Sequence, residues 1–319
     1  MSNKLLVMLD ASALSASSCA LRLHLITVVG LKSKLNFNDL EFGTAFHKFR
    51  AIYREEGEAG LAKGLKTAKN YYENTPMAIK DGKSYLTSTF LQKVCFEWAE
   101  KYNQDSFETL KVKNEKGIEE SLLEVRFAIP YYIDDSLELL LAGTMDEIGK
   151  WKGGIYSICD AKTTSVWKED EYFSAFQLST QMIFYRWLIK KYGEVYPDSI
   201  YAKIDREECG VFIDGVFLKG KETPTVYRRS EVFRFSNETL EEFSLILDTK
   251  IRDMISWIKM WQSDRIIPFR EGMINNSCET KYGKCVYFHL CNSPDKEARE
   301  AIEEFNFVKS FYNPLTHGL

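Results

Sequence analysis

The sequence predicts an α/β protein: a mixed core sheet flanked by helices, with a helical N-terminal lobe. Three observations carry that prediction. Helical periodicity fills the first third of the 319 residues. Between about 121 and 163 the chain changes to short segments rich in Leu, Ile, Tyr and Val. These are broken by the turn residues Asp134-Asp135-Ser136 and Lys152-Gly153-Gly154, as strands are. Long helical stretches and further apolar runs then alternate to the end.

In order, Ser12 or Ser15 caps a helix running through Cys19 to about Val29. Asp39 caps a second through Phe46, His47 and Tyr53, and two more follow near 60–73 and 84–103. Strands are expected near 121–132, 137–148 and 155–163. A helix over about 171–192 leads to strands near 199–206, 210–218 and 225–235. Ser236 or Asn237 caps a long helix to about Gln262, and a short helix lies near 294–305. No Pro/Gly/Ser-rich linker interrupts the chain, so a single unit over 1–319 is expected. Its parts are a helical lobe (1–110), a core (111–262) and a cysteine-bearing segment (263–319).

Hydrophobic content of 45% and charged content of 28% are ordinary for a globular chain. The net charge of −4 excludes a globally basic nucleic-acid binder, so any such contact must come from a local groove. The basic pairs Lys32/Lys34, Lys111/Lys113, Lys190/Lys191 and Arg228/Arg229 read as solvated faces. The apolar run Leu5–Leu9 is cut by Asp10, and Leu25–Leu31 is too short to span a bilayer, so neither a leader nor a membrane segment is expected. Seven cysteines in a chain expected in the cytoplasm point to thiols or metal ligands rather than disulfides.

The strand meander brings carboxylates into register. A hairpin centred on Asp135 sets Glu124 opposite Asp146, and one centred on Gly153 sets Asp146 opposite Asp160. Lys162, two residues on, shares the face of Asp160. Like charges opposite one another repel. A row of three acids beside one lysine therefore reads either as a surface charge ladder or as a site for a hard divalent cation such as Mg²⁺ or Mn²⁺. In the second reading Asp146, Asp160 and the backbone carbonyl of Ala161 are ligands, and Lys162 orients water or stabilises phosphate charge. Gln177, Gln181 and Tyr185, spaced by four, form a polar stripe on an otherwise apolar helix. His47 follows Gly43 on an early helix, where a histidine is either structural or a ligand. There is no phosphate-loop motif, so any ATP-driven motor must be another chain.

Together, Gly43–His47 (G-x-x-x-H), Gly143–Asp146 (G-x-x-D), Asp160–Lys162 (D-x-K) and Gln181–Tyr185 (Q-x-x-x-Y) resemble the RecB-type nucleases of the PD-(D/E)xK superfamily. The likeness covers about residues 12–291. It implies a restriction-endonuclease-like fold and metal-dependent hydrolysis of DNA phosphodiester bonds, with a lean toward exonuclease action on single strands or duplex ends. It implies that His47, Asp146 and Asp160 hold the metal, that Lys162 serves the water, that Gln181 and Tyr185 line the DNA path, and that Glu124 supports. A helicase, a recombinase or CRISPR-type adaptation machinery are the implied partners, in a prokaryotic or virus-infected cell. A non-cutting DNA-binding scaffold and a structure-specific endonuclease are the rival functions.

Cys278-x6-Cys285-x5-Cys291 leaves a tetrahedral site one ligand short, and Cys19 is the natural fourth. The sequence is similar to the iron–sulfur branch of these nucleases, as in the CRISPR-associated and AddB-type domains, which implies a [4Fe-4S] cluster on Cys19, Cys278, Cys285 and Cys291. It departs from that branch in the wider first gap and in Val286, where a proline is usual. Structural zinc, with His289 as a possible ligand, is the alternative. Cys95, Cys159 and Cys209 read as buried thiols.

Overall fold

The structure, a computed structural model, describes residues 4–77, 82–113, 117–264, 267–280, 283–311 and 313. It is a mixed α/β protein with a mixed sheet flanked by helices. The chain opens with β1 (Leu5–Leu9), α1 (Ala11–Ala16), α2 (Ala20–Thr27) and β2 (Leu31–Ser33). The helical period hid two features here. Leu5–Leu9 is a strand with Val7 and Leu9 buried, and the expected helix through Cys19 is two helices. The Asp10 carboxylate caps α1 by accepting the Ala13 N–H at 2.7 Å. Ser17-Ser18 then breaks the helix, leaving Cys19 in extended backbone at the start of α2.

Next come α3 (Asn38–Glu56), α4 (Leu61–Asn74), α5 (Ser88–Lys101), β3 (Phe107–Thr109), β4 (Lys111–Lys113) and β5 (Glu119–Ser121). The meander follows as β6 (Leu123–Ile133), β7 (Leu137–Trp151) and β8 (Tyr156–Thr164). Then run α6 (Glu169–Ser174), α7 (Thr180–Val195), α8 (Ile200–Arg206), β9 (Gly210–Phe217) and β10 (Val226–Arg229). The expected helix 171–192 is thus broken before Ser179, which caps α7, and Gln177 falls in the exposed turn outside the polar stripe. The expected strand 199–206 is a helix. Its alternation of Ile200, Ala202 and Ile204 mimics a strand, but the Ser199 hydroxyl accepts the Ala202 N–H at 3.3 Å and starts a helix. The chain ends with α9 (Asn237–Asp264), β11 (Glu279–Thr280), β12 (Gly283–Lys284), α10 (Phe288–Cys291), α11 (Lys296–Asn306) and β13 (Phe307–Lys309).

Two compact units divide these elements. One comprises residues 1–35, 126–143 and 237–319. In it β1 pairs parallel with the first part of β7, Leu5 beside Leu137. The two termini of this unit are tied by β2 against β13, antiparallel, with Leu31 opposite Lys309. Leu31, Tyr287, Leu290 and Phe307 form the core under that ladder.

The other unit comprises residues 36–125 and 144–236. The second part of β7 pairs antiparallel with β8, β8 runs parallel to β9, and β10 returns antiparallel to β9. Phe42, Phe46 and Phe49 of α3 and Trp98 of α5 are fully buried, packed with Ala161 of β8 and Val216 of β9. At roughly 1.5–3 kcal/mol per buried large apolar side chain, this cluster is the main force seating α3 on the sheet. Among the described residues, no helix is long and apolar enough to cross a membrane.

Candidate active site and cysteine pocket

The expected register holds between β7 and β8. The β7–β8 ladder pairs Ile148 with Ile158 and Glu147 with Cys159, so one further step sets Asp146 level with Asp160. At the preceding turn the Asp134 N–H donates to the Leu137 carbonyl at 2.9 Å, which centres that hairpin between Asp135 and Ser136 rather than on Asp135. Glu124 adopts φ +47°, a left-handed conformation unusual for a non-glycine residue, and it is exposed.

Beyond Glu147 the β7–β8 ladder stops, and the Asp146 side chain takes over a backbone role. Its Oδ2 accepts the Ala161 N–H at 2.7 Å and lies 3.4 Å from His47 Nδ1. One donor atom from each of His47, Glu124 and Asp146 lies within 4.8 Å of the other two. Asp160, only 1% exposed, lies beside them. Its Oδ2 pairs with Lys162 Nζ at 2.8 Å, and its Oδ1 accepts from Gln181 Nε2 at 3.0 Å. Gln181 Nε2 also lies 2.9 Å from the Tyr185 hydroxyl. The polar stripe of α7 therefore has a partner, and that partner is the most buried acid of the row.

The protonation states follow from this packing. Burial pushes the Asp160 carboxyl up and outweighs Lys162, while Asp146 adds to the rise. Burial also acts on Asp146, but His47 and Lys162 overcome it and hold that carboxyl below the usual range. The same attractions lift His47 and Lys162 despite their desolvation. Two acids and one imidazole, Glu124, Asp146 and His47, crowd about one point, with the Asp160–Lys162 pair beside them, and such a group suits a divalent ion with oxygen and nitrogen ligands. The donor set fits Mg²⁺ or Mn²⁺.

Placement of His47 rests on two features of α3. A Cβ on Gly43 would lie 2.9 Å from Thr163 Oγ1, so the glycine permits close approach of α3 to β8. One turn beyond His47, Arg50 is 2% exposed. It pairs with Glu147 at 2.5 Å and Asp214 at 3.6 Å, and contacts Cys159 Sγ at 3.0 Å. Arg54 joins Glu147 and Asp105, and Arg229 joins Asp105 and Asp214. Three guanidinium groups thus balance three carboxylates within this unit.

Sequence reasoning missed that network, although it left signals. Arg50 and Arg54 share a helix face with His47, Glu147 follows Asp146, and Asp214 interrupts an otherwise apolar, wholly buried strand. Of the Arg228/Arg229 pair, Arg228 lies on a solvated face and Arg229 does not. Arg229 is internal and Arg228 pairs with Asp170 at 2.6 Å. Lys34 and Lys191 are also engaged, with the Glu304 carbonyl and Glu194.

In the other unit, Cys19, Cys278, Cys285 and Cys291 line one small pocket with Arg22, Arg270 and Tyr287. All four are free thiols. Gly272 forms part of the wall, where an added Cβ would sit 3.0 Å from Cys278 Sγ and 3.5 Å from Cys19 Cβ. Burial lifts the Cys278 thiol, helped by Cys19 and Cys285. Cys291 is pushed up to about 11, chiefly by burial, with Arg270 opposing. Four thiols that repel one another as thiolates in a shared pocket fit a positively charged metal group. Cys95 and Cys209 are buried apart from this pocket, and Cys159 contacts Arg50. No protein-family model matches the chain, and no curated protein matches it.

Proposed function

We propose that the chain is a metal-dependent deoxyribonuclease that hydrolyses phosphodiester bonds, acting as an exonuclease on single strands or duplex ends. The observation that carries this reading is the convergence of His47, Glu124 and Asp146 beside the buried Asp160–Lys162 pair. A bound Mg²⁺ or Mn²⁺ would polarise the phosphoryl oxygen and lower the pKa of water. His47, Asp146 and Asp160, with the Ala161 carbonyl, are the residues to hold it, and Glu124 belongs with them on geometry. Lys162, charged and partly open to solvent, would orient the attacking water and neutralise charge gathering on the phosphate. Gln181 fixes the Asp160 carboxylate and, with Tyr185, forms a polar wall on α7 for the DNA path.

The cysteine pocket is proposed to hold a [4Fe-4S] cluster, with zinc as the alternative.

The test is digestion of end-labelled single-stranded, tailed and circular DNA with and without Mn²⁺. The parent is expected to degrade linear substrates only with metal. Asp160→Asn or Lys162→Ala should lower the rate at least 100-fold while DNA binding persists. Binding without cutting by the parent would select the scaffold reading, and cutting of circles the endonuclease reading.

A further inference from the structure

We propose that Trp167 is a stacking platform for an unpaired base of the strand on which the Asp146–Asp160 centre acts. The inference rests on the nuclease reading and narrows its substrate to nucleic acid that is single-stranded near the site. Trp167 is 64% exposed, and a lone exposed aromatic is unremarkable in itself. What sets this one apart is how firmly it is held.

The Lys219 ammonium, on a side chain only 5% exposed, lies 5.4 Å from the centre of the indole ring. It donates to the carbonyls of Val166 at 3.1 Å and Trp167 at 2.6 Å, and pairs with Glu169 at 2.9 Å. Burying an ammonium is costly unless it is fully engaged. Here it locks the backbone on which the indole is displayed. The start of the same loop is pinned where the Leu218 N–H donates to the Thr164 carbonyl at 2.7 Å. A rigid aromatic loses little freedom on binding a flat partner.

Position identifies that partner. The loop directly continues β8, the strand that carries Asp160 and Lys162. Trp167 lies five residue steps beyond Lys162, a reach of at most about 18 Å, or roughly five base steps at 3.4 Å. The platform therefore falls within a few nucleotides of a phosphate held at Lys162. The acids that follow would repel a phosphate chain, but each is engaged: Glu169 by Lys219, Asp170 by Arg228 and Glu171 by Lys168. A neutral surface with an offered indole suits a base rather than a phosphate, and a base can stack there only when unpaired.

The experiment measures binding of a labelled single-stranded oligothymidylate without divalent metal, using the parent, Trp167→Ala and Trp167→Phe. The same three proteins are titrated with an oligomer carrying abasic sites. Trp167→Ala is expected to weaken oligothymidylate binding roughly 5- to 100-fold, and Trp167→Phe to restore most of it. The abasic oligomer should bind parent and Trp167→Ala alike. Equal oligothymidylate affinity for parent and Trp167→Ala would overturn the platform while leaving the nuclease reading intact. An equal loss on both oligomers would overturn it too, because the effect would not involve a base. A parent that neither binds nor cuts DNA would remove the nuclease reading and this inference with it.

Discussion

At the scale of residues, the buried ion network behind His47 is where stability and site geometry meet. Arg50 and Arg54 face Glu147 with almost no access to water. Removing one partner of such a pair leaves the other charge buried and uncompensated, which costs about 3–5 kcal/mol. Glu147→Gln is thus expected to lower urea stability by that amount, and Arg50→Met by a similar one. The double variant should lose far less than the sum, and simple additivity would show that the two do not act as a unit. His24 gives a pH signature in the other unit. It is buried against Trp261, and burial lowers its pKa to about 4. The unfolded chain takes up a proton near pH 6.5 that the folded chain refuses until about pH 4. Stability from this group is therefore complete above pH 6.5 and falls as pH drops toward 4, by about 3 kcal/mol in all. His24→Leu should flatten the slope of unfolding free energy between pH 6.5 and 5, and an unchanged slope would place the titration elsewhere.

At the scale of elements, α3 is the part whose position decides whether His47 reaches Asp146. Gly43 lies against Thr163, and Gly43→Ala forces one of them to move. Such overpacking costs about 1–3 kcal/mol, and a shift of α3 would also carry His47 away from Asp146. Gly43→Ala is expected to weaken Mn²⁺ binding, measured by calorimetry, and Thr163→Ala in the same chain to restore it. Failure of that rescue would mean the glycine serves something other than clearance. This scale also shows what the sequence made legible. Apolar runs with marked turns between them put Asp146, Asp160 and Lys162 in their places on β7 and β8, because a strand's two-residue side-chain period then fixes which of them share a face. The network partners were not legible, since Arg50, Asp105, Glu147, Asp214 and Arg229 come from segments whose pairing no local pattern encodes. Breaks were missed where the deciding signal was one capping side chain, as at Ser179 and Ser199, set against an apolar pattern that ran on past it.

At the scale of the whole molecule, the cysteine pocket joins segments that are far apart in sequence but belong to one unit. The ties around it are already long-range. The Ala20 N–H donates to Glu271 at 3.1 Å across 251 residues, and the Tyr287 hydroxyl to the Leu31 carbonyl at 2.5 Å across 256. Closing loops of that length is entropically expensive, and a four-thiolate group would supply a bond-strength closure that single hydrogen bonds do not. The local core is small, with Leu31, Tyr287, Leu290 and Phe307 as its buried members. Loss of the group should therefore be felt first in this unit. Cys19→Ser, or removal of metal by chelation, is expected to speed hydrogen exchange in peptides covering Leu31–Ser33, Phe288–Cys291 and Phe307–Lys309. Peptides from β8 and β9, whose paired strands are buried under Phe42, Phe46 and Trp98, should keep their protection. Iron and zinc analysis of the same preparation names the group that was lost. If exchange rises equally in both units, the pocket holds up the whole chain rather than its own unit. If it rises in neither, the four thiols hold no structural metal.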